Sequence, residues 1–530
     1  QKARALKKAV AFFVGKLDST HAHFYRVISS LVANYGAVIC PVVIPYIEND
    51  EVKSYIDLIT NKAYACEGLE LKELRMPVSN EADEMRSMLL EAIATADDAL
   101  MEKYFAGEEF TPEEIIEGLK KGVAAGEICP VFRKHFTARP GAAAKLEITA
   151  FGVYEAFLNG QRIGNFFLAP GWTSYPTRLQ VQTYDLTALL REENELTVTL
   201  GKGWFAGRIS AGVYQAIADG PRLLAALHLT DADGTREYAT DESWQWAESP
   251  IRFSDIYDGE TYDARVTPEN WHFCRTDSCG KQMLIPQEGE IVTEHERLKP
   301  VAVLHTPKGE MVLDFGQEIT GYAEFTVQAR AGERVLLSCA EVLDADGNFY
   351  TENYRSAKSR IEYICRGGIQ TGRAHHTFYG FRYLRVDEAP EGWQAENFTA
   401  VCVYSDLQRT GWIRTSDPLL NQLYQNIVWG EKDNLLDVPT DCPQRDERLG
   451  WTGDAQVSIR AITCTFDGKR FFSKWLRDMA AEQRGDGTVS HFVPNVGLFT
   501  KDPALFCGGS AWADAAVICP WQLYQAYGDK

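Results

Sequence analysis

Hydrophobic and polar positions alternate in three different textures along the chain, and each predicts different elements. Residues 1 to about 132 mix short apolar runs with helix-period segments. The run Ala9-Val10-Ala11-Phe12-Phe13-Val14 and the stretch Gly36-Ala37-Val38-Ile39-Cys40 read as strands, and two acidic amphipathic helices are expected near 81–104 and 112–122. From about Lys134 to residue 405 the pattern changes to short alternating strands broken by Gly, Asn, Asp and Pro turns, the signature of β-sandwiches. Within it, Phe151 to Gly160 alternates into an Asn159-Gly160 hairpin signal. From Ser416-Asp417-Pro418, a helix start with proline in the first turn, the texture becomes helical, and Trp429, Trp475 and Trp521 sit in amphipathic runs. These shifts place boundaries near 132, 290 and 408, giving an α/β segment, two β-sandwich domains and a helical region.

Length agrees with several domains, because single cores stop growing near 250–300 residues and this chain has 530. A composition of 45% hydrophobic, 12% aromatic and 24% charged residues is globular, with an aromatic surplus suited to stacking on sugars. The formal charge of −20, from 54 basic and 74 acidic residues, argues against a partner made of nucleic acid, which requires clustered Lys and Arg. No run approaches the roughly 18 apolar residues of a membrane helix, so no membrane partner is expected, and a cytoplasmic location is the default. Twelve cysteines are spread singly without a zinc-type pair, which reads as reduced, mostly buried thiols. No metal or cofactor is called for.

The densest chemistry lies in Asp437-Val438-Pro439-Thr440-Asp441-Cys442-Pro443-Gln444-Arg445-Asp446-Glu447-Arg448-Leu449-Gly450-Trp451-Thr452-Gly453-Asp454. Carboxylates, arginines and a Trp broken by Pro and Gly suit neither a solvated helix face nor a buried strand. Gly450 and Gly453 argue for a loop that enters a helix at about Asp454. Such a loop can focus charge on one small polar ligand. Glycoside hydrolysis needs a carboxylic acid to protonate the leaving oxygen, a carboxylate to activate water, and polar groups to grip hydroxyls. Neighbouring carboxylates raise one another's pKa while Arg opposes the shift, which separates acid from acceptor. A turn or a Ca²⁺ site is the alternative, without the spacing of a dedicated Ca²⁺ loop. Trp172 and Trp204, beside glycines in the β region, leave both sugar stacking and core packing open.

The Asp437–Asp454 stretch resembles, almost residue for residue, the catalytic motif of the bacterial α-L-rhamnosidases. Val312 to Tyr322, Glu341-Val342-Leu343 and His376 to Val386 are similar to the β domains that precede the catalytic barrel in that family. The resemblance covers about 133–530. It implies β-sandwich domains over 133–290 and 291–407, the second concanavalin-like, and the first part of an (α/α)₆ barrel over 408–530. It further implies release of terminal α-L-rhamnose from rhamnose-containing glycosides by an inverting acid/base mechanism. On it Glu447 is the general acid, Asp441 and Asp454 bind rhamnose hydroxyls, and Trp451 walls the pocket. Arg445 and Arg448, by charge, are expected to orient the carboxylates. Gly509 to Ala515 resembles the family's Trp-Gly-Asp-Ala segment, with Ala513 in place of Gly, and adds Trp512 and Asp514 as substrate-binding candidates. The family's general base has no counterpart in this sequence. Glu482, the only Glu after the motif, matches no base segment, so little turnover is expected of the chain as it stands; a non-catalytic carbohydrate-binding protein is the alternative.

In the first segment, Phe13-Val14-Gly15-Lys16-Leu17-Asp18 resembles the NKxD guanine motif of translational GTPases, with Gly15 at the Asn position. Asp57 to Tyr64, Ala99 to Phe105 and Gly126 to Val131 are similar to the back of the elongation factor G nucleotide domain. The resemblance implies a vestigial guanine contact by Lys16 and Asp18. No GxxxxGK[ST] loop occurs to cradle phosphates, so GTP hydrolysis is not expected, and a fused remnant is the reading.

Overall fold

A computed structural model of the chain describes residues 42–48, 51–67, 70–77, 129–209, 213–214, 220–277, 281–496 and 506–528, with Phe24, Ile28 and several positions between 82 and 115. The strands expected at 9–14 and 36–40, and the guanine-type motif with Lys16 and Asp18, lie outside the described residues. Two compact units divide at residue 127.

In the first unit, Val43–Glu48, Glu51–Asp57, Lys62–Glu67 and Glu70–Leu74 form a four-stranded antiparallel meander. Ile44, Ile56 and Ala63 from its strands share a buried core with Phe24, Ile28, Leu89 and Ile115. The described positions within 82–90 and 114–115 are helical, in line with the two amphipathic helices expected there. The meander itself is absent from the sequence reading: its strands carry interleaved charges and a proline, Pro45, which weaken the apolar alternation.

The second unit begins with two sheets, antiparallel throughout except where 284–286 runs parallel to 179–185. One runs in the spatial order 272–273, 245–248, 130–137, 193–201, 153–158, 161–162, and the other 234–239, 222–231, 143–151, 179–185, 284–286. The hairpin at 159–160 forms as expected: Leu158 pairs with Gln161, and Asn159 and Gly160 hold φ of 54° and 80°, the left-handed pair that a type I′ turn demands. Trp172 and Trp204 are 1% and 2% exposed and stack on each other at 5.4 Å, which settles them as core rather than sugar platforms. The next sheet has ten strands and curls around the 19-residue strand Met311–Ala329, which pairs with Tyr379–Glu388 and Phe398–Ser405. Strands Ile251–Asp255 and Gly259–Asp263 join this sheet, the latter in parallel with Arg360–Ile364. The chain therefore crosses between the β layers twice before residue 290.

Helices follow. Pro418–Asn434 starts as the sequence predicts, with the Asp417 side chain accepting from Leu419 N at 2.8 Å and Pro418 in the first turn. Thr452–Thr465, Lys469–Glu482 and Ala515–Tyr527 complete the helical region, which shares one continuous core with both β layers. Among the described residues no helix is long and apolar enough to cross a membrane. Of nine cysteines whose side chains are described, six are buried.

Candidate active site

The loop of interest leaves a tight two-residue ladder, Leu435–Leu436 against Val438–Pro439, turned by Asp437 at φ 62°. It runs irregularly to Trp451 and enters the Thr452–Thr465 helix two residues earlier than expected. Its return is fixed by Asp441, whose N–H donates to Leu449 O at 3.2 Å and whose Oδ1 accepts from Leu449 N at 3.1 Å. This double tie folds residues 442–448 into a bulge that leaves Arg445 and Glu447 half-buried and turns Asp446 inward, 2% exposed.

Two guanidiniums converge on Glu447. Arg445 Nε donates to its Oε2 at 3.0 Å while Nη2 reaches Asp441 Oδ2 at 3.5 Å, so Arg445 lies between the two carboxylates as the charge pattern predicts. Arg355, at the end of the 352–354 turn that precedes strand Arg360–Ile364, also donates to Glu447 Oε2 and pairs with Asp446 Oδ1 at 3.1 Å. The Tyr257 hydroxyl donates to the Glu447 carbonyl. Sequence reasoning missed Arg355 and Tyr257; they stand 92 and 190 residues away along the chain, beyond any local pattern.

Burial, then the neighbouring Glu447 charge, push the Asp441 carboxyl up to about 6. Asp454, in the first turn of the helix, is raised in the same direction by partial desolvation and, to a lesser extent, by Glu447. Ligand-type atoms of Asp441, Cys442 and Glu447 lie within 4.8 Å of one another, which would suit a cation by distance alone. The donor set does not suit one: Arg445 already brings a positive charge between the carboxylates, and burial pushes the Cys442 thiol up to about 12, leaving it protonated.

Aromatic groups stand at the helix entrance. Trp451 meets Phe492 edge-on at 5.1 Å. Trp512, 40% exposed, stacks on His491 at 5.4 Å and covers Gly453, where a Cβ would come 2.9 Å from the indole nitrogen. Gly509 N donates to His491 Nε2 at 2.9 Å, which fixes the imidazole under Trp512.

Two candidates lie otherwise than the sequence suggests. Arg448 is 2% exposed and orients no carboxylate: its donors go to the carbonyls of Arg445 (3.0 Å), Phe378 (3.0 Å) and Ile256 (2.9 Å), with the guanidinium against Tyr257 and Phe378. It braces the loop from beneath because three inward carbonyls need donors and only a fork reaches all three. Asp514 is exposed and accepts from Ala511 N at 3.1 Å, closing the turn before the last helix. Glu482, which the sequence already sets aside as a base, is 9% exposed, accepts from Asn495 N at 2.8 Å and is pushed up to about 8 by burial and by Asp478.

Layered β units thus lead into helices, with a carboxylate pair gripped by arginines on the loop between the first two of them. Three family profiles match: the α-L-rhamnosidase N-terminal domain over 140–312, the bacterial α-L-rhamnosidase concanavalin-like domain over 304–404, and the bacterial α-L-rhamnosidase six-hairpin glycosidase domain over 408–530. An α-L-rhamnosidase of Streptomyces avermitilis is 39% identical over 401 residues, covering 73% of this chain and 38% of that protein. One of Alteromonas sp. is 36% identical over 409 residues, covering 73% and 43%. The crystal structure of the Streptomyces avermitilis enzyme complexed with L-rhamnose aligns at TM-score 0.72 and 37% identity over 76% of this chain and 40% of that one. Native α-L-rhamnosidase from Aspergillus terreus aligns at 0.72 and 36% over 76% and 48%. From residue 140 onward the chain belongs to the bacterial α-L-rhamnosidase family. It spans about two fifths of the length of these curated relatives, 38% and 43%. The N-terminal segment is similar to an elongation factor G-like protein of Thermotoga maritima, 36% identical over 129 residues, 24% of this chain and 19% of that protein.

Proposed function

We propose that this chain carries the acid half of an α-L-rhamnoside hydrolase, taking terminal L-rhamnose with Glu447 as proton donor to the leaving oxygen. The observation that supports the reading most is the pairing of Glu447 with Asp441 across Arg445, on the loop that runs into Trp451 and into the Gly453 covered by exposed Trp512. Asp441, Asp454 and Arg445 grip sugar hydroxyls, and Trp451 and Trp512 wall the ring through its apolar C–H face. Asp441 stands within 4.8 Å of Glu447, nearer than the roughly 6.5–9.5 Å that leaves room for an attacking water in an inverting site. Asp441 is therefore a binding group, and the base of an inverting reaction approaches from the opposite ring face. In this reading the four helices are the opening part of a six-hairpin barrel, and the β layers brace its mouth.

The test is an aryl α-L-rhamnoside offered to the chain as it stands and to the chain extended with the corresponding C-terminal residues of the Streptomyces avermitilis relative, with the anomer of the released sugar read by NMR. The extended protein is expected to release β-L-rhamnose first and to lose activity with Glu447→Gln. Full speed in that variant, or an α-anomeric first product, refutes the assignment. L-Rhamnose titration of the unextended chain reports the binding half, which Asp441→Asn and Trp512→Ala are expected to weaken.

A further inference from the structure

A line of buried charges beneath the acidic loop belongs to no step of the proposed chemistry. Lys474 and Asp478, one turn apart on the Lys469–Glu482 helix, and Asp437, the loop's first residue, have side chains that are 1%, 0% and 1% exposed. Lys474 Nζ lies 3.2 Å from Asp437 Oδ2 and 3.6 Å from Asp478 Oδ2. The first β layer closes the line. Trp172 N donates to Asp437 Oδ2, and Lys474 donates to Trp172 O. Arg178 Nε donates to Asp478 Oδ1 at 2.9 Å. Gly171 packs so tightly that a Cβ would fall 2.6 Å from Asp437 Oδ1. From the ten-stranded layer, Ser405 Oγ accepts from Asp437 N at 2.9 Å. Asp437 itself sits at φ 62°, a region a non-glycine residue holds only when its surroundings impose it.

Stability alone does not account for this arrangement, since apolar residues of the same volume commonly match or exceed a buried ion pair. What directional charges add is register: one loop entry angle satisfies Trp172 N, Ser405 Oγ and Lys474 together. We propose that Asp437 and Lys474 are positioning residues through which the Gly171–Arg178 segment of the first β layer sets the register of the acid-bearing loop, making that layer part of the sugar site rather than a separate module. The part of this proposal that concerns sugar rests on the rhamnosidase reading; the part that concerns the loop does not.

Hydrogen–deuterium exchange of the full chain, read by peptide, tests it. Lys474→Met on the helix and Gly171→Ala on the β layer are expected to speed exchange of peptides within 438–451 by about ten-fold while strands Ala143–Phe151 and Arg222–Asp231 keep their protection. Asp437→Asn, which keeps an acceptor for Trp172 N, is expected to shift the same peptides less. Where Lys474→Met loosens the whole chain, Asp437→Asn decides: unchanged exchange in 438–451 overturns the proposal. L-Rhamnose titration runs in parallel, with about ten-fold weaker binding expected in Gly171→Ala, a residue outside the sugar pocket. A parent chain that binds no L-rhamnose sinks the rhamnosidase reading, while the exchange data still decide the loop's dependence on the β layer.

Discussion

Replacing Arg448 by Met removes a fully buried guanidinium while keeping most of its volume. Three carbonyls, those of Arg445, Phe378 and Ile256, then lose donors at 2.9–3.0 Å. Hydrogen bonds from a charged donor contribute about 1.5–3 kcal/mol each, so the gross loss is about 4.5–9 kcal/mol. Against it stands the cost of keeping the guanidinium dry, several kcal/mol, which the variant no longer carries. Desolvation lowers the Arg448 pKa, the direction that such a cost requires. A net destabilisation of about 3–5 kcal/mol follows, and Arg448→Lys, which keeps the charge but not the fork, falls between it and the parent. Equilibrium urea unfolding followed by tryptophan fluorescence measures both. If Arg448→Met stays within about 1 kcal/mol of the parent yet no longer binds L-rhamnose, the brace is wrong and the residue faces the sugar.

Three further outcomes follow from the same geometry. Asp441, raised to about 6 in the fold, binds its proton more tightly there than in the unfolded chain, so its stabilising contribution is complete below about pH 4 and is lost as pH rises through 6. Asp441→Asn should flatten the melting temperature across that window, and an unchanged slope would contradict the burial argument. Glu482, at about 8, obeys the same sign over a higher window. Glu482→Gln should be nearly neutral at pH 5 and stabilising at pH 9, by at most about 5 kcal/mol at about 1.4 kcal/mol per pKa unit, as thermal melts at the two pH values will tell. Gly450→Ala would place a Cβ 2.1 Å from Val493 O, and is expected to displace the loop, cost about 3 kcal/mol or more and abolish L-rhamnose binding; retained affinity in a titration would show that the loop can give way.

Local signals carried the parts of this molecule that are locally determined. The Asn159-Gly160 turn, the Asp417-Pro418 helix start and the glycine-broken acidic loop each depend on a few consecutive residues, and each forms as read. Pairings made at a distance were not legible. Gly259–Asp263 lies parallel to Arg360–Ile364 in a partnership that neither strand's alternation specifies. The stacking of Trp172 on Trp204 follows from the fold around both, so proximity to glycine could not separate platform from core. Arg448 shows the same limit within the motif: in sequence it is one of two arginines among acids, and its inward direction depends on φ 41° and on carbonyls from residues 256 and 378.

Close backbone approach connects these observations to the chemistry. Gly380 leaves space for Pro443 and Gln444, where a Cβ would come within 2.9 Å, and Gly450 lets the loop meet Val493 O and the Trp475 indole. The acidic bulge is thereby held against the β layer on one side and the helical region on the other. Asp441 is dried in the same fold, and drying is the first cause of its raised pKa, ahead of the Glu447 charge. The proton affinity of Asp441 is thus set less by the count of carboxylates in the motif than by its burial, which is why the same carboxylate on an exposed loop would bind protons like any surface acid.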